Sequence, residues 1–277
     1  MAKTLTETQV LELQTKAKAI RRNIVKMITE AKSGHPGGSL SATDIVTTLY
    51  FAEMNVDPQD PKAPNRDRFV LSKGHAAPVL YATLAAKGYF PEEELMSLRQ
   101  VNTRMQGHPS MKDLPGVDMS TGSLGQGLAA ANGMALAARL DGSDHRIFVL
   151  MGDGEQQEGM IWEAAMLAGH YKLSNITAFV DYNGLQIDGP VTDVMSPLPL
   201  ADKWRAFQWN VIEIDGHDIP AIYDAIQQAK AETEKPTVIL ANTVKGKGVS
   251  FMENQAGWHG NAPSKEQCEQ VLAEDLA

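Results

Sequence analysis

Cysteine is almost absent. Cys268 is the only one in 277 residues, so no intrachain disulfide can form and nothing points to an oxidising compartment. Cationic side chains are in deficit, 25 Lys and Arg against 34 Asp and Glu. The resulting net charge of −9 argues against a nucleic-acid partner, because little offsets phosphate repulsion. No apolar stretch reaches the length of a signal-peptide core or a membrane span, so no membrane association and a cytoplasmic location are expected. Internal repeats and low-complexity tracts are missing too. What remains is ordinary for a soluble globular protein, with 43% hydrophobic and 21% charged residues.

Large α/β domains reach this length intact, and one domain over 1–277 is expected. Val10, Leu13, Ala17, Ile20, Ile24, Met27 and Ile28 recur three and four apart, so the first thirty residues read as an amphipathic helix. Ser33-Gly34-His35-Pro36-Gly37-Gly38 breaks any regular element. Further helices are predicted over 43–51, 76–87, 159–170 and 219–231, and one from the glycine-rich stretch at Gly122 through Ala138. Strands are predicted over 68–71, 147–151, 176–180, 210–214 and 237–241. Short, doubly apolar strands alternating with helices specify an α/β fold, a parallel central sheet with helices on both faces. Residues 189–200, with Pro190, Pro197 and Pro199, form the one long loop, a surface excursion.

Gly152-Asp153-Gly154 directly follows one apolar strand, and Asp181-Tyr182-Asn183-Gly184 follows the next. Parallel strands joined by a right-handed crossover put both carboxyl ends on one sheet edge, so Asp153 and Asn183 should converge. A carboxylate with a neutral amide oxygen suits magnesium, which is usually shared with phosphates. One protein charge against the ion's two leaves positive charge for a diphosphate. Glycines let backbone amides approach it, and a helix N-terminus favours the anion further. Alone, the strand-GDG could be a tight turn; paired with the later Asn it is the thiamin-diphosphate fingerprint.

Six motifs then occur in order. They are Ser33 to Gly38, Leu71-Ser72-Lys73-Gly74-His75-Ala76, Gly107-His108-Pro109, Ser120 to Gly127, Gly152 to Gly159, and Lys245-Gly246-Lys247-Gly248 followed by Trp258-His259-Gly260. Together they resemble the N-terminal domain of transketolases over nearly the whole chain. The resemblance implies Asp153, Asn183 and the Leu185 carbonyl as ligands of Mg2+, with Ca2+ or Mn2+ as substitutes. It implies thiamin diphosphate held by Gly152, the Gly154 amide, Glu155, His75 and His259. Gly122, Ser123 and Leu124 would line it, and Ile187 would pack on its rings. His35, His108 and His259 would contact the oxygens of a sugar or sugar phosphate, imidazoles being suited to donate to an alkoxide and shuttle protons near pH 7. Glu158 resembles the buried glutamate that meets a partner subunit.

Each of these residues has a structural alternative. Isolated histidines more often cap or pack in loops, and Glu155 and Glu158 could be helix-start acids favoured by the dipole. His145, His170 and His217 read as structural or solvent-facing. Lys245-Gly-Lys-Gly lacks the spacing of a phosphate-binding Walker loop, and Gly125-Gln-Gly127 lacks the third glycine of a dinucleotide fingerprint. Ser123 stands where many transketolases have proline, which bears on the loop's rigidity. The chain ends at Ala277, whereas the family's second thiamin domain carries the activating glutamate and the phosphate-gripping arginines. The expectation is therefore one half of a split transketolase, forming an α2β2 assembly with a separate C-terminal subunit. Alternatives are a dihydroxyacetone synthase, a non-catalytic thiamin-diphosphate module, or a metal-dependent phosphohydrolase.

Overall fold

The structure, a computed structural model, describes residues 4–277. Helix α1 spans Glu7–Ala31, and the start of the predicted first helix, residues 1–3, lies outside the described residues. The Thr6 hydroxyl accepts the Gln9 amide at 3.3 Å while the Gln9 side chain accepts the Thr6 amide at 3.0 Å, a reciprocal cap that starts the helix. Lys32 ends it at a φ of 51°. The segment expected to stay irregular then forms a short helix, α2, over Pro36–Ser41. Proline at a first helical position sacrifices an amide that would be unpaired anyway, so Pro36 starts this helix where it was expected only to break one. Helix α3, Thr43–Thr48, passes into one π turn over Leu49–Glu53.

The predicted strands all form: β1 Arg68–Leu71, β2 Ile147–Gly152 and β3 Ile176–Tyr182. A hairpin of β4 Leu185–Gln186 and β5 Gly189–Pro190 follows, then β6 Asn210–Asp215 and β7 Thr237–Asn242. The main sheet runs β1-β2-β3-β7-β6, parallel throughout. The remaining helices are α4 Ala77–Lys87, α5 Gln126–Leu140, α6 Gly159–His170, α7 Val191–Met195, α8 Leu200–Ala206, α9 Ile219–Ala231 and α10 Lys265–Ala273. The expected long loop at 189–200 thus holds a strand and a helical turn. Proline bars neither, since Pro190 lies on a short edge strand.

Period-two alternation divides the core. Phe69, Phe148, Leu150, Phe179 and Ile239 face one side with α1, α3, α4, α9 and α10. Val70, Val149, Met151, Ala178 and Val238 face the other with α5, α6 and α8. Strand β6 departs from the expected doubly apolar pattern: at the sheet edge, Glu213 and Asp215 stay exposed.

One buried ion pair ties the first helix to the sheet's carboxyl edge. Asp44 accepts Arg21 through both oxygens, at 3.0 and 2.7 Å, and His217 Nδ1 at 2.8 Å. His217 Nε2 in turn accepts the Val244 amide at 2.8 Å. His217, structural as its sequence context suggests, therefore anchors the loop after β7. Burial pushes the Asp44 carboxyl up, but the His217 and Arg21 bonds outweigh it and hold it below its ordinary value. Asp44→Ala leaves a guanidinium buried without a counter-charge and should cost about 3–5 kcal/mol in urea unfolding. A loss below about 1 kcal/mol would show the pair to be a surface-like contact instead.

Candidate active site

Loops leaving β1, β2, β3 and β7 at their carboxyl ends meet over one cleft of about 310 Å³. Its floor is a fully buried pair. Lys73 Nζ reaches Asp181 Oδ2 at 2.5 Å and the Gly38 carbonyl at 3.0 Å. The same carboxylate accepts the Ser41 hydroxyl at 2.6 Å and the Thr243 hydroxyl, so it joins α2 and the loops after β1 and β7. Burial raises the Asp181 pKa, but the Lys73 charge and these hydrogen bonds bring it below the usual carboxylate range.

Asp153 lies beside it, nearly buried. Its two oxygens accept the Gly154 amide at 2.7 Å and the Gly184 amide at 2.5 Å, which joins the ends of β2 and β3. The predicted convergence of Asp153 with Asn183 is present. Burial, then the Asp181 charge, pushes the Asp153 carboxyl up to about 6. Asn183 Nδ2 donates to Asp181 at 3.4 Å and Oδ1 accepts the Leu185 amide at 3.1 Å, which assigns the two ends of the amide. The Gly154 amide, expected to face a diphosphate, is turned to its neighbour's carboxylate.

The four imidazoles expected from the motifs gather above this floor. Ring centroids lie 5.3 Å apart for His35 and His75, 5.5 Å for His35 and His259, 5.1 Å for His75 and His259, and 6.4 Å for His35 and His108. Burial, followed by the Arg99 charge, lowers His35 to about 4. Burial, followed by Lys245, lowers His259 to about 3. His75 falls well below the ordinary value and His108 falls too, burial leading in both. All four rings are neutral near pH 7.

The remaining expectations divide. Gly122 lies against the His108 ring, where an added Cβ would come to 3.0 Å, and its φ of 148° suits glycine. Gly122, Leu124, Gly152 and Leu185 line the cleft, and Ile187 overhangs it, 68% exposed, on the β4–β5 hairpin. Ser123 is exposed and lines no part of it, because the chain turns its side chain outward between two glycine bends. In the single chain Glu158 is exposed at the rim, and of the two motif acids the one buried within the chain is Glu155. Glu155 Oε1 accepts the Ser72 hydroxyl at 2.5 Å and the Gly125 amide at 2.9 Å, and Oε2 accepts the Gly152 amide at 3.0 Å. Glu155 lines the cleft, and through these bonds its carboxylate clamps three loops. The loops are correspondingly tight: a Cβ on Gly74 would lie 2.6 Å from Thr121 Oγ1.

Four side chains of the site carry no signal of their own in the sequence. Lys73, Asp181 and Lys245 sit inside motifs whose other residues draw the reading. Burial pushes Lys245 down to about 8, and its ammonium donates to the Leu185 carbonyl and to His259 Nδ1, both at 3.1 Å. Arg99, beside His35, belongs to no motif at all.

Known proteins are similar to this chain in sequence and in fold. A family model described as the transketolase, thiamine diphosphate binding domain matches residues 13–274. A relative from Clostridium sp., named for a 6-deoxy-6-sulfo-D-fructose transketolase and as one subunit of it, is 48% identical over 96% of this chain and 97% of its own. Another from Phocaeicola vulgatus, likewise named as one subunit of an apulose-4-phosphate transketolase, is 43% identical over 97% of this chain and 94% of its own. Transketolase from Campylobacter jejuni superposes with a TM-score of 0.91 at 37% identity, covering 96% of this chain but 43% of that one. The chain thus spans nearly all of the named subunits and about two-fifths of the longer transketolase.

Glu155 offers a test of the loop clamp. Glu155→Ala strands three buried donors and should destabilise the protein by about 3 kcal/mol, with Glu155→Gln losing less. An unchanged denaturant midpoint for the alanine variant would show that the loops hold themselves.

Proposed function

This chain belongs to the transketolase family, and from that membership we propose that it is the cofactor-holding subunit of a two-component transketolase. It would move a two-carbon ketol unit from a ketose or ketose phosphate to an aldose or aldose phosphate, with residues 1–277 acting as one thiamine diphosphate-binding domain. The observation that carries this reading is the meeting of Asp153, Asn183 and the imidazoles of His35, His75 and His259 in one cleft, with His108 beside His35.

The donor set fits a hard divalent cation. Asp153, Asn183 Oδ1 and the Leu185 carbonyl are all oxygens, one of them charged, and each has a lone pair left after its protein contact. A magnesium ion there would find in the buried Asp153 a carboxylate whose charge burial disfavours and a cation would stabilise. When bound, thiamine diphosphate supplies the electron sink that lets the ketose carbon–carbon bond break. Holding the cofactor's diphosphate and the near end of the sugar falls to this chain. His75 and His259 border the diphosphate region, with the Lys245 ammonium beside them to attract the anion. His35, His108 and His259 offer hydrogen bonds to sugar oxygens, and a neutral ring donates to developing negative charge without a proton having to be removed first. Ile187 supplies an apolar surface for the cofactor's rings.

A separate C-terminal subunit would contribute the activating glutamate and the groups that read the sugar's far end. Both near-full-length relatives carry subunit names, which supports the split arrangement. Ile187, Met195 and Leu198 form exposed apolar surface beside the cleft, which a partner would cover. Glu158 at the rim would become buried in such an interface, and symmetric pairing there gives an α2β2 assembly. We propose a role in carbohydrate metabolism of the pentose phosphate kind, in the cytoplasm.

Calorimetry should find thiamine diphosphate binding only with a divalent cation, with Asp153→Ala abolishing it. Equal affinity with magnesium, with chelator and in the variant would sink the metal site, and phosphate release from simple esters would favour a hydrolase. His35→Ala and His108→Ala should each lower turnover of the assembled enzyme about a hundredfold while cofactor affinity holds. His75→Ala should weaken cofactor binding instead. Light scattering with a coupled ketol-transfer assay should show activity only after mixing with the partner. Full activity from this polypeptide alone would overturn the two-component reading.

A further inference from the structure

Two of the four imidazoles have a cation at their back. Arg99 Nη2 lies 3.4 Å from His35 Nδ1, and Lys245 Nζ lies 3.1 Å from His259 Nδ1. A guanidinium carries five donors and an ammonium three, and neither has an acceptor. Each Nδ1 must therefore be the accepting nitrogen, so the single proton of the neutral ring sits on Nε2. Among the described residues no protein group bonds either Nε2, and both rings line the cleft.

The Arg99 contact is built, not incidental. Arg99 holds a φ of 58°, a left-handed conformation that side-chain-bearing residues seldom adopt, with its amide bonded to the Met105 carbonyl at 2.9 Å. Its guanidinium also reaches Ser33 Oγ at 3.3 Å and the Gly107 carbonyl at 3.4 Å. Gly107 makes room for it, since a Cβ there would lie 2.9 Å from Arg99 Cζ. The glycine of the Gly107-His108-Pro109 motif thus gains a reason: it lets a cation stand behind His35.

We propose that Arg99 and Lys245 are positioning residues that hold His35 and His259 as Nε2–H tautomers, so that both rings present donors to the sugar oxygens. The proposal rests on the reading above that these two rings face the substrate. A nitrogen that already bears its proton cannot accept another, so His35 and His259 stabilise negative charge on oxygen and do not act as bases at Nε2. The Arg99 and Lys245 charges also oppose protonation of His35 and His259, after burial, which keeps both rings neutral.

Long-range proton–nitrogen NMR of histidine-labelled protein reads the tautomer from the two ring nitrogens, without cofactor or partner. The wild type should show His35 and His259 as Nε2–H, with signals assigned by loss in His35→Gln and His259→Gln. Arg99→Met should turn His35 into a mixture of tautomers while leaving His259 unchanged. Arg99→Lys should restore the wild-type pattern, and Gly107→Ala should imitate Arg99→Met. In the assembled enzyme, His35→Gln keeps an N–H near the Nε2 position, so His35→Asn should have kcat about a hundredfold lower than His35→Gln. An Nδ1–H tautomer at His35 in the wild type, or no response to Arg99→Met, would overturn the proposal, as would equal kcat in the two amide variants. Because the spectra need no turnover, a failed ketol-transfer assay with the expected tautomers would count against the proposed function alone.

Discussion

The site depends on one carboxylate with no exposed surface. Asp181 lies one residue before the end of β3, and its bonds reach Ser41 at the end of α2, Lys73 after β1 and Thr243 after β7, as well as Asn183 two residues on. Removing either member of such a buried pair typically costs about 3–5 kcal/mol, because the survivor is left charged and dry. The strands alone would bring these loops to the same edge. Asp181 brings them to the same point, and its bond to Asn183 Nδ2 settles which end of that amide remains for a cation.

Around that node the charges are arranged to keep protons off imidazole. Lys73 and Lys245 are both almost entirely buried, and the charges of both act on His35, His75 and His259. A cationic surround is unusual for a histidine cluster, since a carboxylate neighbour would raise the pKa and make the rings general acids near pH 7. Here the acids are spent elsewhere. Asp181 pairs with Lys73, Asp153 takes two backbone amides, and Glu155 takes three donors. The result is a pocket of neutral donors over a positively biased floor, suited to an anionic cofactor and to oxygens that gain negative charge.

Much of this is legible in the sequence for a physical reason. Strands β2, β3 and β7 are apolar on both faces, which only a covered parallel sheet explains, and the parallel sheet then places Gly152-Asp153-Gly154 beside Asn183. The edge strand β6 is recognisable in place but not in kind, because exposure depends on strand order and strand order is not periodic. Pro36 reads as a break, where its position after His35 starts a helix. A motif gives Glu155 and Glu158 similar standing, while the structure sorts them by hydrogen bonds: one consumes three buried donors and the other faces solvent. Arg99 is invisible in sequence, since its neighbour His35 is 64 residues away and nothing local marks it.

The contrast between floor and mouth follows from the same accounting of donors. At the floor each charged group is enclosed and multiply bonded, so its geometry tolerates little change without loss of the fold. At the mouth, Arg99 makes three contacts of 3.3 to 3.4 Å from an exposed position, and Ile187 sits in the turn between the two-residue strands β4 and β5. Relatives named for a sulfonated and for a phosphorylated sugar match nearly the whole of this chain. The enclosed floor and the open mouth thus differ in how much change each tolerates. Changes at Arg99 or along the hairpin leave Asp181 and its buried partners untouched, so the fold should survive them.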